Sequence, residues 1–188
     1  MDSIVKQYDK FYYPSKEECF YILEQYETPN HVKLHCNAVG ITGRCIGEVL
    51  NHKGLNLNIP LIESSGFLHD IARIHDKHEA VGADYLESIG LVDIARCVRE
   101  HTSHKINPNI DMTDEIDVLC IADRVVLQSK FVGPKQRMEY IKRKRIRKFG
   151  YEAEDRVNKF IKEFYSYIEE LEKYIDIELN KIIPDIIK

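Results

Sequence analysis

The stretch Gly66-Phe67-Leu68-His69-Asp70-Ile71-Ala72-Arg73 places an imidazole and a carboxylate side by side within an apolar run. Helical spacing puts Phe67 and Ile74 on the face of Asp70, three residues before it and four after it. His69 lies about 100° away round the same helix. Burying such polar groups without partners costs roughly 2–7 kcal/mol each. The stretch therefore predicts a helix that carries a polar site into the core.

Four further residues of ligand type have apolar neighbours at helical spacing, namely His35, His78, His101 and Asp123. A single inward-facing histidine is more often a core side chain whose hydrogen bonds are satisfied. Six such residues in one core are a different case, because two buried carboxylates need compensation that a divalent cation supplies. We therefore predict a metal site made by His35, His69, Asp70, His78, His101 and Asp123.

The types of these residues restrict the metal. Imidazole and carboxylate ligands without a thiolate suit iron, manganese, cobalt, nickel or zinc better than calcium. The five cysteines form an odd set without a CxxC pair. This pattern argues against a disulfide framework and against a thiolate zinc cluster, and we expect reduced, buried thiols. We expect one or two divalent ions.

Glycine and proline are sparse, and apolar residues recur mostly at intervals of three and four, so the fold class is predicted to be all-α. The pattern indicates a helical bundle with a long C-terminal helix. It contains no sign of a strand ladder. The predicted helices cover approximately residues 15–26, 28–52, 58–74, 78–88, 92–102, 113–129 and 151–181.

The 188 residues are expected to form a single domain, with a core at 15–128 and a basic and amphipathic helical extension at 134–188. Residues 135–149 contain eight basic side chains and one acid. The favoured interpretation of this run is a solvated helix face that pairs with acids elsewhere in the chain. Nucleic-acid binding through Lys142–Lys148 is the alternative.

Composition excludes several classes of protein. Hydrophobic residues make up 44% of the chain and charged residues 31%, as in globular proteins. No apolar run reaches the roughly 20 residues that a membrane helix needs. Residues 1–6 lack the basic start and apolar centre of a secretory signal, so we expect a cytoplasmic location. Nothing in the pattern indicates the oligomeric state.

The order His35, His69-Asp70, Asp123 resembles the HD superfamily of metal-dependent phosphohydrolases, which is all-helical. Residues 66–73 are similar to the signature helix of that family. The additional histidines, His78 and His101, resemble its dinuclear branch, which includes bacterial symmetrical diadenosine tetraphosphate hydrolases. Residues 118–125 are similar to those enzymes as well. The resemblance covers residues 15–128 and leaves out the basic segment and the last helix.

This resemblance implies roles for the six ligand-type residues. His35, His69, Asp70 and Asp123 would hold one metal, and Asp70 would bridge to a second metal held by His78 and His101. The implied reaction is the hydrolysis of phosphoester or phosphoanhydride bonds in a small phosphorylated substrate, such as a nucleotide. A hydroxide bound to the metal would be the nucleophile.

Arg73 stands where many members of the family have lysine. Its guanidinium can bind phosphate in a bidentate way, which suggests a role in catalysis and in substrate binding. A surface arginine or a partner for Asp76 is the alternative. His104, Lys105 and Arg124 are further candidates for phosphate contact, although each is more often a solvated side chain.

Two other classes of function remain open at this stage. Some di-iron proteins of the HD type use a similar ligand set to activate oxygen. A regulatory or RNA-binding module could keep the metal site and have little turnover. Redox-active iron with oxygen consumption would distinguish the first class, and salt-sensitive nucleic-acid binding without product would distinguish the second.

Overall fold

The computed structural model describes residues 7–9 and 11–188. Residues 1–6, on which the expected absence of a secretory signal depends, lie outside the described part. The described helices are α1 (Lys16–Gln25), α2 (Asn30–His52), α3 (Ile59–Leu68), α4 (His78–Ser88), α5 (Val92–Glu100), α6 (Glu115–Asp123), α7 (Gly133–Phe149), α8 (Glu154–Ile175) and α9 (Leu179–Ile182). Short 3₁₀ turns cover Ile110–Met112, Tyr151–Ala153 and Asp185–Ile187. The all-α prediction is confirmed.

Capping side chains account for several helix starts. Ser15 and Glu18 form the expected capping box at α1, and the Asn58 side chain accepts a hydrogen bond from a backbone amide of α3. Thr28, the first residue of the second predicted helix, does not cap α2, whose N-cap is Pro29; the Thr28 hydroxyl donates instead to the carbonyl of Ile71 at 2.8 Å. Thr28 therefore ties the start of α2 to the turn that follows α3.

Three helices are shorter than the sequence predicts. α3 ends at Leu68 instead of Ile74, and residues 69–77 form turns. α6 ends at Asp123 and is followed by an antiparallel hairpin of β1 (Val126–Leu127) and β2 (Lys130–Phe131). The prediction without strands missed this hairpin, since two-residue strands have no readable periodicity. α8 stops at Ile175 because Asp176 is left-handed, with a φ of 58°.

Helices α2 and α3 pack closely and carry or adjoin three of the predicted ligands. A Cβ atom on Gly66 would lie 2.6 Å from the Cα of Gly40, so the two backbones touch. The two helices can approach this closely because glycine has no side chain. This approach brings the middle of α2 against the end of α3, where the predicted polar site lies.

The extension packs on the same hydrophobic cluster as the helices before it. Buried side chains of α8, such as Phe164 and Leu171, belong to one cluster with Phe67 of α3. Among the described residues, no helix combines the length and the apolar character that crossing a bilayer requires.

Candidate metal centre

The six predicted ligands come from five separate parts of the fold. His35 lies in the middle of α2, and His69 and Asp70 directly follow α3. His78 begins α4, His101 follows the last residue of α5, and Asp123 ends α6. The helix ends matter here, because a residue that ends a helix can project toward a point that several helices share.

Asp70 lies at the centre of this arrangement. Its Oδ1 is 3.1 Å from Nε2 of His78 and 3.8 Å from Nε2 of His101, while its Oδ2 is 3.7 Å from Nε2 of His69. The potential ligand atoms form two groups, and within each group all atoms lie within 4.8 Å of one another. One group consists of His35, His69 and Asp70, and the other of Asp70, His78 and His101. Asp70 belongs to both groups.

Asp123 adjoins this pair of groups and is a member of neither. Its Oδ1 lies 3.1 Å from Nε2 of His35. Arg137 approaches from α7, where its Nε donates to the Asp123 carbonyl at 3.2 Å and an Nη atom contacts Oδ1 at 3.3 Å. The same carboxylate oxygen, Oδ1, therefore contacts both His35 and the cationic Arg137.

All four histidines present the same ring atom to the carboxylates. Nδ1 of His35, His69 and His101 is within 2.9 Å of a backbone carbonyl oxygen, at Gln128, Gly66 and Val98 respectively. Nδ1 of His78 lies 3.3 Å from the carboxylate of Glu79. A proton held at Nδ1 leaves the Nε2 lone pair available, which is the usual arrangement of histidines that bind metals.

The pKa values of three of these groups favour their ligand forms. Burial lowers the pKa of His69 to about 4, so its ring is neutral near pH 7. Burial would raise the pKa of Asp70, but the neighbouring His69, His78 and Arg73 outweigh it and lower the pKa. The pKa of Asp123 is also well below its usual range, since His35 and Arg137 outweigh burial. Both carboxylates are thus ionised.

His35 differs from His69 in the direction of its pKa shift. Burial lowers the pKa of His35, but the hydrogen bond with Asp123 and the charge of that carboxylate outweigh burial, and the pKa is raised. His35 and Asp123 therefore compensate each other electrostatically in the described structure. A metal ion bound there would have to take over this compensation, because an imidazole binds a metal only in its neutral form, in which one ring nitrogen has a free lone pair.

The buried Nε2 of His69 tests whether these residues fit a cation. This atom is inaccessible to solvent and has no hydrogen-bond partner among the described residues. Leaving a buried polar atom unpartnered is costly, and such atoms in native structures usually have a role. A ring nitrogen with a free lone pair beside an ionised carboxylate suits a divalent transition metal, so the residues fit one.

The substrate-binding residues proposed from the sequence lie in two adjoining clefts. Arg73 contacts Asp70 and His78, with its Nε 3.3 Å from the Asp70 carboxylate, so it is not a partner of Asp76 in the described structure. It lines a cleft of about 670 Å³ whose wall includes five of the six ligand-type residues, all except the buried His69. Lys105, His104 and Arg124 line a neighbouring cleft instead.

His104 has a specific partner that the sequence did not reveal. Its Nε2 lies 2.6 Å from the buried carboxylate of Asp117. Asp117 and Asp114 form the capping box at the start of α6. Ligand-type atoms of these three residues also lie within 4.8 Å of one another, but the capping hydrogen bonds account for the arrangement. His104 thus fixes the loop after α5 to α6.

Arg137 belongs to the site but was not predicted from the sequence. In the sequence it is one charge of the basic run 135–149, because its partner Asp123 is 14 residues away and on another helix. The spacing of the apolar residues near Arg137 did not predict that its side chain faces the site. Its contact with Asp123 makes α7 part of the wall of the candidate metal centre.

Cysteine chemistry is not a feature of this centre. All five cysteines are free; four are buried and Cys45 is half-buried. Burial raises the pKa of Cys36 well above its usual value, and raises that of Cys97 to about 11. A thiolate nucleophile is therefore disfavoured near neutral pH.

The HD domain family matches residues 32–127, which is slightly more than half of the chain. The chain belongs to the HD domain family. The match includes all six ligand-type residues and ends just before the β1–β2 turn, so that α7 and α8 lie outside it. No curated protein and no solved structure matches the chain significantly. Membership is consistent with the candidate His and Asp groups for divalent metals.

Proposed function

We propose that this protein is a metal-dependent phosphohydrolase that acts on phosphoester or phosphoanhydride bonds of a nucleotide or another small phosphate ester. The observation that carries the proposal is the shared position of Asp70 between two groups of ligand atoms. Asp70 would be held in common by two cations, as in the dinuclear branch of the HD superfamily. His35, His69 and Asp123 would complete one site, and His78 and His101 the other.

A bound divalent cation would supply polarisation of the phosphoryl oxygens and would acidify a water molecule near neutral pH. The protein contributes the rest. Backbone carbonyls keep the proton of His69 and His101 at Nδ1, so the rings need not reorient when a metal binds. The ionised Asp70 supplies negative charge between the two groups.

Arg73 is positioned to act on the substrate. Its guanidinium is 41% exposed and lies at the cleft wall, where it now contacts the Asp70 and His78 atoms that would hold a cation. Released from them, the same group can bind a phosphoryl oxygen and stabilise the negative charge that develops in the transition state. We propose catalytic roles for Asp70 and Arg73 on this basis.

The test is phosphate release from nucleotides, dinucleoside polyphosphates and sugar phosphates, with manganese, iron, cobalt, nickel or zinc added in turn. We expect metal-dependent release by the wild type and none by Asp70→Ala. Asp155→Ala, which removes an exposed carboxylate from the first turn of α8, is the matched control and should behave as wild type. Full metal content and turnover in Asp70→Ala would overturn the assignment of the site.

Arg73→Ala separates metal binding from catalysis. We expect this variant to retain its metal, measured by elemental analysis, and to hydrolyse the substrate more slowly, because the phosphate contact is lost while all six ligand-type residues remain. Normal turnover would exclude a catalytic role for Arg73. Oxygen uptake by the iron-loaded protein without phosphate release would replace the hydrolase proposal with a di-iron oxygenase.

A further inference from the structure

A second cleft, of about 930 Å³, lies between the loop after α5 and helices α7 and α8. We call it the basic cleft. Seven lysines and arginines line it against two acids, Asp123 and Glu163. The cations are Lys105, Arg124, Arg137, Lys144, Arg145, Lys148 and Lys159. Its size is in the range of small-ligand sites, and its charge indicates an anionic ligand.

The two acids pair with only two of these seven cations, Arg137 and Lys159. The Asp123 carboxylate contacts His35 and Arg137. The Glu163 carboxylate is 4.0 Å from Lys159, and both side chains of this i,i+4 pair are exposed. Among the residues that the structure describes, no carboxylate lies within ion-pair distance of Arg124, Arg145 or Lys105. An unneutralised cluster of this kind is electrostatically unfavourable until an anion joins it.

The repulsion between like charges in this cluster is most evident at Arg124 and Arg145. Both guanidinium groups lie over the ring of Phe160, at 5.3 and 4.9 Å from its centre. Burial and the charge of Arg124 lower the pKa of Arg145. The aromatic ring holds the two like charges together, so a pair of planar donors is available for phosphate oxygens.

The basic cleft is continuous with the cleft of the candidate metal centre. The two share six lining residues, His101, Thr102, Asp123, Arg137, Tyr140 and Lys144. Two of the shared residues, His101 and Asp123, are candidate metal ligands. A ligand with one phosphoryl group at the metal centre could therefore extend past Arg137 and Lys144 toward Arg124 and Arg145.

The basic residues of α7 divide into two faces. Arg137, Lys144, Arg145 and Lys148 recur at helical spacing and line the cleft, together with Tyr140 and Ile141. Lys142 instead pairs with Glu154 at 3.0 Å, and Arg143 and Arg147 are exposed outside the cleft. Three further cations, Lys105, Arg124 and Lys159, line the cleft from other elements. Cations that converge on a concave surface from several elements favour a compact anion over a nucleic-acid strand that runs along one helix.

We propose that the basic cleft binds an oligophosphate chain, with Arg124 and Arg145 as its principal ligands, and that the substrate is an oligophosphate compound whose reacting phosphoryl group lies at the metal centre. This inference deepens the proposed function and rests on it for the position of the reacting group. The residues that distinguish the cleft lie largely after residue 127, outside the match to the HD domain family.

The test is calorimetric binding of inorganic triphosphate to the metal-free protein in the presence of a chelator. We expect the double variant Arg124→Ala/Arg145→Ala to bind about tenfold more weakly or worse, because it loses the charge-assisted hydrogen bonds of two guanidinium groups. The double variant Arg143→Ala/Arg147→Ala removes the same charge from the outer face and should bind as wild type. Equal losses in the two variants would overturn the proposal.

A second variant guards against unfolding of the first. Lys144→Ala/Lys148→Ala changes only exposed side chains of the cleft and should also weaken triphosphate binding, and no weakening would contradict the proposal. An RNA oligonucleotide is the competing ligand. RNA binding that depends equally on Arg143 and Arg147, without triphosphate binding, would replace the oligophosphate by a nucleic acid and overturn the inference.

The two proposals fail separately. Asp70→Ala should abolish turnover and leave triphosphate binding to the metal-free protein intact, because Asp70 does not line the basic cleft. Triphosphate binding that depends on Arg124 and Arg145, in a protein that hydrolyses nothing, would uphold the cleft and refute the hydrolase. Hydrolysis with a KM that is unchanged in Arg124→Ala/Arg145→Ala would uphold the hydrolase and refute the role of the basic cleft.

Discussion

The buried carboxylate of Asp117 organises the loop between α5 and α6. It is 1% exposed and accepts hydrogen bonds from Nε2 of His104 and from the backbone amides of Asn107 and Asp114. The loop forms one wall of the basic cleft. A side chain that satisfies three donors in the interior stabilises the fold well beyond an ordinary surface acid.

Asp117→Ala should lower the free energy of unfolding by about 2–4 kcal/mol, because it leaves three donors without an acceptor. His104→Ala should cost less, and a double-mutant cycle of the two should show coupling. Urea unfolding measures both quantities. Glu170→Ala, on the exposed side of α8, is the control and should be close to neutral. A loss below about 0.5 kcal/mol in Asp117→Ala would refute this role.

The low pKa of His69 predicts an effect of pH on the metal-free protein. The pKa falls from 6.5 to about 4 on folding, so the unfolded chain binds the additional proton between these values. The free energy of unfolding therefore decreases as the pH falls through this window. His35, whose pKa is raised, acts in the opposite sense, and its contribution is lost as the pH rises through its folded value.

His69→Gln isolates the contribution of His69, since His35 is present in both proteins. We expect the stability advantage of the wild type over this variant to shrink as the pH is lowered from about 6.5 toward about 4. Urea unfolding in the presence of a chelator, repeated across that range, gives the difference. A difference that stays constant with pH would show that His69 does not titrate as inferred.

At the scale of elements, the contact of α2 with α3 fixes the distance between His35 and the pair His69-Asp70. The contact is so close that a Cβ on Gly66 would meet backbone atoms of Gly40 at 2.6 and 2.8 Å. Backbone atoms cannot turn aside as a flexible side chain does. The separation of the two helices, and with it the shape of the metal centre, therefore depends on glycine at position 66.

Gly66→Ala should destabilise the protein by about 2 kcal/mol or more, despite the better helix propensity of alanine. Gly43→Ala is the graded control. The atom nearest to its Cβ would be a methyl carbon of Ile62 at 3.0 Å, and the next, Cβ of Ala122 at 3.7 Å, is at an ordinary contact distance, so we expect a much smaller change. Thermal unfolding of both variants compares them. Equal stability would show that the α2–α3 approach can relax at little cost.

Capping and turn residues also act at this scale, and they place the ligands at helix ends. Asp123 ends α6, and His101 follows α5. The sequence pattern extended these helices to residues 129 and 102, and extended α3 to 74. Apolar spacing continues beyond each true end, because the turns and the hairpin after these helices are packed against the core as well. Helix ends were thus the least predictable part of the site.

For the whole molecule, the candidate metal centre links segments that are far apart in the sequence. Its residues run from His35 to Asp123 and come from five parts of the fold. An ion that binds them together stabilises the folded state alone, because the unfolded chain does not assemble the site.

Saturation with the preferred divalent metal should therefore raise the melting temperature of the wild type. At a free concentration of about 100 times Kd the gain is about 2.7 kcal/mol, which corresponds to about 5–10 °C for a chain of this size. Asp70→Asn, which keeps the shape and removes the charge, should show a much smaller shift. Equal shifts in the two proteins would show that the metal binds elsewhere. Scanning calorimetry measures them.

The sequence by itself determined the helical class and, through His35, His69-Asp70 and Asp123, the expected membership of the HD family. It also determined that the side chains of the ligand-type residues face the interior. Local periodicity carries this information, since a polar residue between apolar neighbours at helical spacing must face the interior. Only the tertiary structure decided which side chains meet. It paired His104 with Asp117 and Arg137 with Asp123, set Arg73 against Asp70 and His78, and folded the basic run of α7 round a cleft. These contacts join residues on different elements, and their formation depends on packing that no local pattern encodes.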